Sequence, residues 1–445
     1  MPPLFLDSNN FTPGQSNRQG RKILICYKYL TIREKPAYNN SSMIKKLKKT
    51  LAEYPGSFWV LISSTFVDRF GGTILFPFFT LYITQRFDVG MTEAGALIGV
   101  FAVAGVFGGL AGGALCDRFG RKKVLLFGLA ASGAGSLVMV MINQLPVFFI
   151  MAALVGFLGD IGGPARMAMV ADLLPEKKRA SGYGMMRVAG NLAWVAGPPI
   201  GGLLAMKSFA LLFYFDAVTS FITAVIVWIK LPETRPEISA DKHQDSLIKT
   251  ITGYTDVLRD RMFMIFILIT TIMLLVYQQL YASFPVYLRD VHGFGAGKYG
   301  YLMSINAFVV VAFQFRTTRM VRDKPPMLMM ALGTACFLAG YLLFGFIQGY
   351  VYFVLTVLLI TFGEMVVIPV GQALVAKLAP EEMRGRYMGM YNLSWSFPYI
   401  LGPWAAGLIM DNFNPNLLWY ICGAVSLIPL AGFLLLYRKR KLTLQ

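Results

Sequence analysis

A chain of 445 residues that is 56% hydrophobic and 14% charged falls short of the roughly 25% charged residues of a soluble domain, which excludes a water-facing surface over most of its length. The formal charge of +18 would suit nucleic acid, but the basic residues are spread between long apolar runs, so no nucleic-acid partner is expected. Cys26, Cys116, Cys336 and Cys422 are scattered and only two histidines occur, so neither disulfides, metal nor cofactor is expected.

Residues 1–56 are polar, basic and rich in Asn, Ser and Pro. They hold no signal-peptide core, and a cytoplasmic segment is expected, disordered or lying on the membrane surface. Met43 opens Met-Ile-Lys-Lys-Leu-Lys-Lys, a natural start for a short basic flank. Residues 1–42 therefore read either as an upstream extension absent from the mature protein or as a basic tail held near anionic lipid.

Apolar runs of about 20 residues, the length needed to span a bilayer, then recur twelve times. They lie near 57–83, 93–115, 123–143, 147–173, 182–205, 209–230, 262–288, 299–318, 327–348, 351–376, 387–410 and 417–437. Residues 231–261, with Pro232, Pro236 and several charges, separate the sixth run from the seventh, and 438–445 form a basic tail. With the N-terminus inside, the outer loops hold Arg86, Lys207, Arg289 and Lys298, and Arg69 and Arg166 fall within spans. The rest of the 41 Lys and Arg residues then lie on the cytoplasmic side or at its helix ends. That bias predicts a multi-pass protein of the cell membrane with both termini cytoplasmic.

Charges at membrane depth are costly and usually functional. Asp68 lies about 11 residues into the first span, roughly 16 Å deep at the helical rise, and Arg69 follows it. Asp160 and Arg166 are in the fourth span, Glu364 is near the middle of the tenth, and Tyr277, Gln278 and Gln279 lie in the seventh. Neighbours on a helix point about 100° apart, so Asp68 and Arg69 need different partners. Crossed pairs are expected, Asp68 with Arg166 or Arg69 with Asp160. Glu364 has no obvious basic partner in the second half, and it is the best candidate for binding and releasing a proton. Glu93 and Asp216 sit near outer helix ends and are expected to be hydrated.

The segment between the second and third runs, Gly113 to Leu126, reads GALCDRFGRKKVLL and matches G-x-L-x-D-R-x-G-R-K-x-x-L. Gly113 suits a close approach of helices, Gly120 a tight reversal and Asp117 a helix N-terminus. Arg118, Arg121, Lys122 and Lys123 suit the cytoplasmic face. This string resembles the signature loop of the major facilitator superfamily. The resemblance implies an all-α membrane protein of 12 transmembrane helices in two six-helix pseudo-symmetric bundles, 57–230 and 262–437. It implies a central cavity lined by helices one, four, seven and ten, where the deep charges and the glutamines fall. It also implies that Asp117 docks near the start of helix eleven in the outward-facing state, and that Arg121 pairs with Asp172.

An internal repeat agrees with that architecture. The halves align without a gap at an offset of 205 residues, matching Tyr82 with Tyr287, Gly95 with Gly300, Pro164 with Pro369 and Gly197-Pro198 with Gly402-Pro403. The second half has lost the loop signature, with Arg322 at the Asp117 position and Pro325 at that of Gly120.

The fifth span carries Gly184, Ala193 and Gly197-Pro198-Pro199-Ile200-Gly201-Gly202, which matches G-x8-G-x3-G-P-x2-G-G with one Ala for Gly. It resembles a motif of the 12-helix drug:proton antiporters. Against that, the Arg which many of them carry four residues before a fourth-helix Gly is absent, since Ala152 precedes Gly156. The expected function is secondary active efflux of a small amphipathic or hydrophobic compound in exchange for protons, by a monomer in the lipid bilayer. Transport of a polar metabolite, sugar, organic anion or lipid is the alternative, and a non-transporting membrane sensor the reading from another class. Nothing resembles an enzyme's nucleophile and base, metal cluster or phosphate loop.

Overall fold

The computed structural model describes residues 52–235, 255–380 and 383–443. The basic segment 1–51, with the Met43 question and Cys26, therefore lies outside the described residues, as do 236–254 of the linker and the last two residues.

The described chain from Pro55 onward is a set of long helices: α1 Gly56–Phe87, α2 Met91–Phe119, α3 Arg121–Met141, α4 Leu145–Leu173, α5 Glu176–Ala205 and α6 Ala210–Lys230. They are followed by α7 Arg261–Ala282, α8 Ala296–Val321, α9 Pro326–Phe344 and α10 Tyr350–Leu378, then α11 Arg384–Asn412 and α12 Asn416–Thr443. Eleven of these are long and apolar enough to cross a membrane. The remaining one, α11, is 29 residues long but interrupts its apolar run with Tyr, Asn, Ser, Trp and Pro.

Two helices are broken where proline removes an amide donor. Pro77 puts a 3-10 turn, Phe76–Phe78, inside α1. The seventh span steps through Gln279–Ala282 into Phe284–His292, with Pro285 in the first turn of that last piece. The helices start and stop on local chemistry. Asp260 accepts the amide of Phe263 at 3.0 Å ahead of α7, and Gly293 closes the Phe284–His292 helix at φ +65°.

Packing repeats with the sequence. In the first half α1 packs on α5 and α6, α6 on α3, α3 on α4, and α4 on α2. In the second, α7 packs on α11 and α12, α12 on α9, α9 on α10, and α10 on α8. Adding six to each label turns the first set into the second. The halves meet along two seams, α2 with α11 and α5 with α8, and the same operation exchanges them.

Both seams are tightest at the end of the molecule away from the Asp117 loop, here termed the far end. A Cβ on Gly95 would sit 2.4 Å from the Pro403 carbonyl, and one on Gly202 would sit 2.6 Å from the Gly300 Cα. Asp411 on α11 accepts the amides of Met91 and Thr92 at 3.0 and 2.7 Å, so one half caps a helix of the other. Arg289 donates to the Thr84 hydroxyl at 2.8 Å across the same end. Nearer the basic end, a polar link between the halves joins Arg187 to Gln372 at 2.7 Å.

Candidate functional site

A cavity of about 300 Å³ opens among α1, α3 and α4, lined by Asp68, Arg69, Asp160 and Arg166, with Phe76, Trp194 and Tyr399 on its side toward the other half. Arg166 reaches Asp68 at 2.7 Å, the two side chains 8% and 17% exposed. The second crossed pair does not form: Arg69 and Asp160 line the same cavity without an ion pair. The reason is local. The Asp160 carboxylate is turned against α2, where a Cβ on Gly105 would come within 2.5 Å of it. Arg69 is left facing the cavity.

In the second half the acid is held differently. Glu364 is half-buried on α10, and Oε2 accepts from the Asn306 amide at 3.1 Å. The same amide also donates to Thr361 at 2.8 Å. Tyr277 is a further polar neighbour of the carboxylate. Its hydroxyl lies 3.2 Å from that of Tyr281, and its carbonyl accepts from Tyr341 at 2.9 Å. No Lys or Arg pairs with Glu364 among the described residues.

Aromatic rings run between the two sites. Phe76 stacks on Tyr399 at 5.0 Å and meets Trp194 at 5.8 Å. Trp194 meets Tyr281 at 5.5 Å across the halves, Tyr281 meets Tyr277 at 5.8 Å, and Tyr277 meets Trp395 at 6.1 Å. The glutamines of the seventh span are not part of this lining. Gln279 is buried at 3% exposure. It donates to the Leu275 carbonyl and accepts from Ser283 at 2.6 Å, which ties together the helix break. Gln278 is also buried, at 9%.

The signature loop has its own anchoring. Gly120 takes φ +94°, ψ +158° between α2 and α3, a conformation a side chain rarely adopts. Arg121 Nε lies 3.2 Å from Asp172, an ion pair without hydrogen-bond alignment. Lys122 donates to the Trp228 carbonyl at 2.7 Å, and the Arg118 carbonyl accepts from Arg235. Asp117 is 70% exposed and touches only Arg121, at 3.7 Å, among the described ion pairs. Its expected docking near the start of α11 falls on 381–382 and on the side chains of 384–385, which lie outside the described residues. Gly113 departs from its expected role: a Cβ there would meet nothing within 4 Å. The close approach of α2 to α4 is made at Gly108 and Gly112, where a Cβ would strike the Phe157 and Ile161 carbonyls.

Along α5, Gly197 and Gly201 lie against α1, where a Cβ would strike Thr73 and the Ile74 carbonyl, while Gly202 faces α8. Gly184 faces open space. Pro198 and Pro199 lie inside the helix and leave the carbonyls of Trp194 and Val195 without their usual donors.

Four groups escaped the sequence reading. Asn306 carried a readable signal, a lone amide in mid-span. Glu233, just past α6, accepts the Arg121 amide at 2.8 Å and that of Lys122 at 3.2 Å, but its sequence position gave no hint of the loop it meets. Asp411 was not singled out, since its position in the sequence does not show that it caps α2. Asp216, expected to be hydrated, is buried at 7% exposure, because α6 packs that face onto α1 and α3. Among the described residues no group of His, Cys, Asp and Glu is placed to hold a metal ion.

The sequence profile of the Major Facilitator Superfamily matches residues 61–397 and 363–444. A Na(+), Li(+), K(+)/H(+) antiporter of Planococcus maritimus is 26% identical over 357 residues, covering 74% of this chain and 84% of its own. The multidrug resistance protein MdtH of Yersinia enterocolitica is 24% identical over 394 residues, covering 87% and 96%. Among solved structures, the nucleoside transporter NupG (D323A mutant) superposes with a TM-score of 0.71 at 14% identity, over 86% of this chain and all of that one. Profile, packing and fold agree, and the chain belongs to the major facilitator superfamily of membrane transporters.

Proposed function

We propose that this protein exports small amphipathic or hydrophobic compounds in exchange for protons. Glu364 carries the reading: a carboxyl at membrane depth, held by the Asn306 amide beside Tyr277 and paired with no cation among the described residues. Such an acid can be neutral or charged without breaking an ion pair, as a proton carrier requires. The rings from Phe76 to Trp395 suit an apolar or weakly hydrated cationic substrate. Antiporter and multidrug relatives support exchange and export, as does the glycine-proline stretch of α5. The clustering of basic residues at the loop end supports a cytoplasmic position for both termini.

Residues 57–230 would rock against 262–437, with Asp68, Arg69, Asp160 and Arg166 on one side of the path and Glu364 on the other. The closed far end fits an inward-facing state, and docking of Asp117 on α11 belongs to the opposite state. Arg69, facing the cavity without an ion pair, supports one other reading, transport of an organic anion.

Inverted vesicles with an acidified lumen test this. Lipophilic cations are expected to release protons through the wild type and not through Glu364→Gln. Proton release equal in both proteins removes Glu364 as carrier, and release driven by organic anions alone favours the second reading.

A further inference from the structure

Among the described residues, Asp216 is the one buried acid that the proposed cycle leaves unused. It lies on α6 with Oδ2 accepting from Ser136 of α3 at 2.5 Å. Oδ1 faces the backbone of α1, where a Cβ on Gly71 would come within 3.0 Å. The other hydroxyls around it are occupied. Thr219 donates to the Asp216 carbonyl at 2.9 Å, Thr223 to that of Ser64 at 3.5 Å, and Thr73 to Phe70 and Ala193. No cation pairs with Asp216 among the described residues.

Asp216 and Ser136 also line the cavity of Asp68, Arg69, Asp160 and Arg166. Those four, from α1 and α4, are its charged neighbours across that space. The lining contributed by α3 and α5 is uncharged, and Asp216 is the charged residue α6 adds. Arg166 is already engaged by Asp68. An ionised carboxylate taken out of water without a cation costs several kcal/mol, and a bound proton removes that cost. A metal ion held by oxygens takes a shell of about six, which one carboxyl and the Ser136 hydroxyl do not supply.

We propose that Asp216, paired with Ser136, is a second proton-binding site, buried in the first bundle and reached through the Asp68 cavity. It stands apart from Glu364, so a cycle of this architecture can hold one exchangeable proton in each half. Occupancy of the two sites need not change together, because the aromatic rings lie between them.

Infrared difference spectra of the full chain in lipid nanodiscs, between alkaline and acidic buffer, test the site without any transport assay. A protonated-carboxyl band is expected that is lost in Asp216→Asn and retained in Glu364→Gln. Ser136→Ala, which removes the single donor, is expected to shift that band and keeps the test valid if Asp216→Asn misfolds. Transfer to heavy water is expected to shift it as well, since the cavity gives access. A spectrum in which no carboxyl band responds to either Asp216→Asn or Ser136→Ala overturns the proposal. So does a band abolished by sodium at constant pH, which would assign a metal-ion site instead. Loss of the proposed Glu364 proton flux would leave the Asp216 band in place, so the two ideas fail separately.

Discussion

The two halves are copies in packing and opposites in electrostatics. The first holds Asp68 against Arg166 at 2.7 Å, with Arg69 and Asp160 beside them. The second holds Glu364 with the Asn306 amide, Tyr277 being a polar neighbour. At the 205-residue offset Glu364 corresponds to Gly159 and Asp160 to Met365, while Asn306 falls on Phe101. Duplication therefore preserved which helices touch and not which ones carry charge. Helix packing depends on small residues at seams, and these recur in both halves. A charge needs only one partner in range, so each half settled its own arrangement.

The sharpest way to break the comparison is to remove a partner from each half. Arg166→Met strands Asp68 in the bundle, and leaving one member of a buried pair unpartnered costs about 3–5 kcal/mol. A large drop in the thermal midpoint of the purified protein is expected, with recovery in Asp68→Asn/Arg166→Met. Glu364→Gln keeps an acceptor for Asn306, so its stability is expected to change by less than about 1 kcal/mol. Equal losses in the two variants would show that the halves do not differ in this way.

The seams offer a smaller effect. Leu at Gly95 drives a side chain into the Pro403 backbone, which cannot yield as a side chain would. Overpacking of about 1–3 kcal/mol is expected to fall on the far-end-closed state, shifting the balance toward far-end opening by roughly five- to 150-fold. Spin-label distances between α2 and α11 at that end are expected to lengthen. Unchanged distances would mean that this seam does not govern closure.

The smallest effect concerns the loop that only the first half has kept. Glu233→Ala removes the acceptor for the first amides of α3, a capping loss of about 0.5–2 kcal/mol. Faster amide exchange is expected at Arg121 and Lys122. Protection should stay unchanged at the equivalent start of α9, which begins at proline without a side-chain cap. Faster exchange at both sites would point to a general loosening of the basic end.

Much of the fold was legible beforehand, because a bilayer demands long apolar helices and a duplicated chain repeats its glycines. The twelve runs, the offset of 205 and the reversal at Gly120 all follow from local chemistry written in order along the chain. Gly113 shows the limit: its spacing is readable, but the open space around it depends on which helices come near it. Asp160 and Arg69 show it again, since a helical wheel allowed their pairing and the notch at Gly105 turned the carboxylate elsewhere. Asp216 was read by its distance from a helix end, yet it is buried between three helices, and Asp411, which was not singled out, caps a helix 320 residues away. By itself the sequence determined the helices, their number and the duplication, because hydrophobic length and periodicity act within one segment. Which acid meets an arginine, which meets an amide, and which end is closed were decided by tertiary structure, because those contacts join residues 58 to 320 positions apart and depend on the rotation of each helix about its axis.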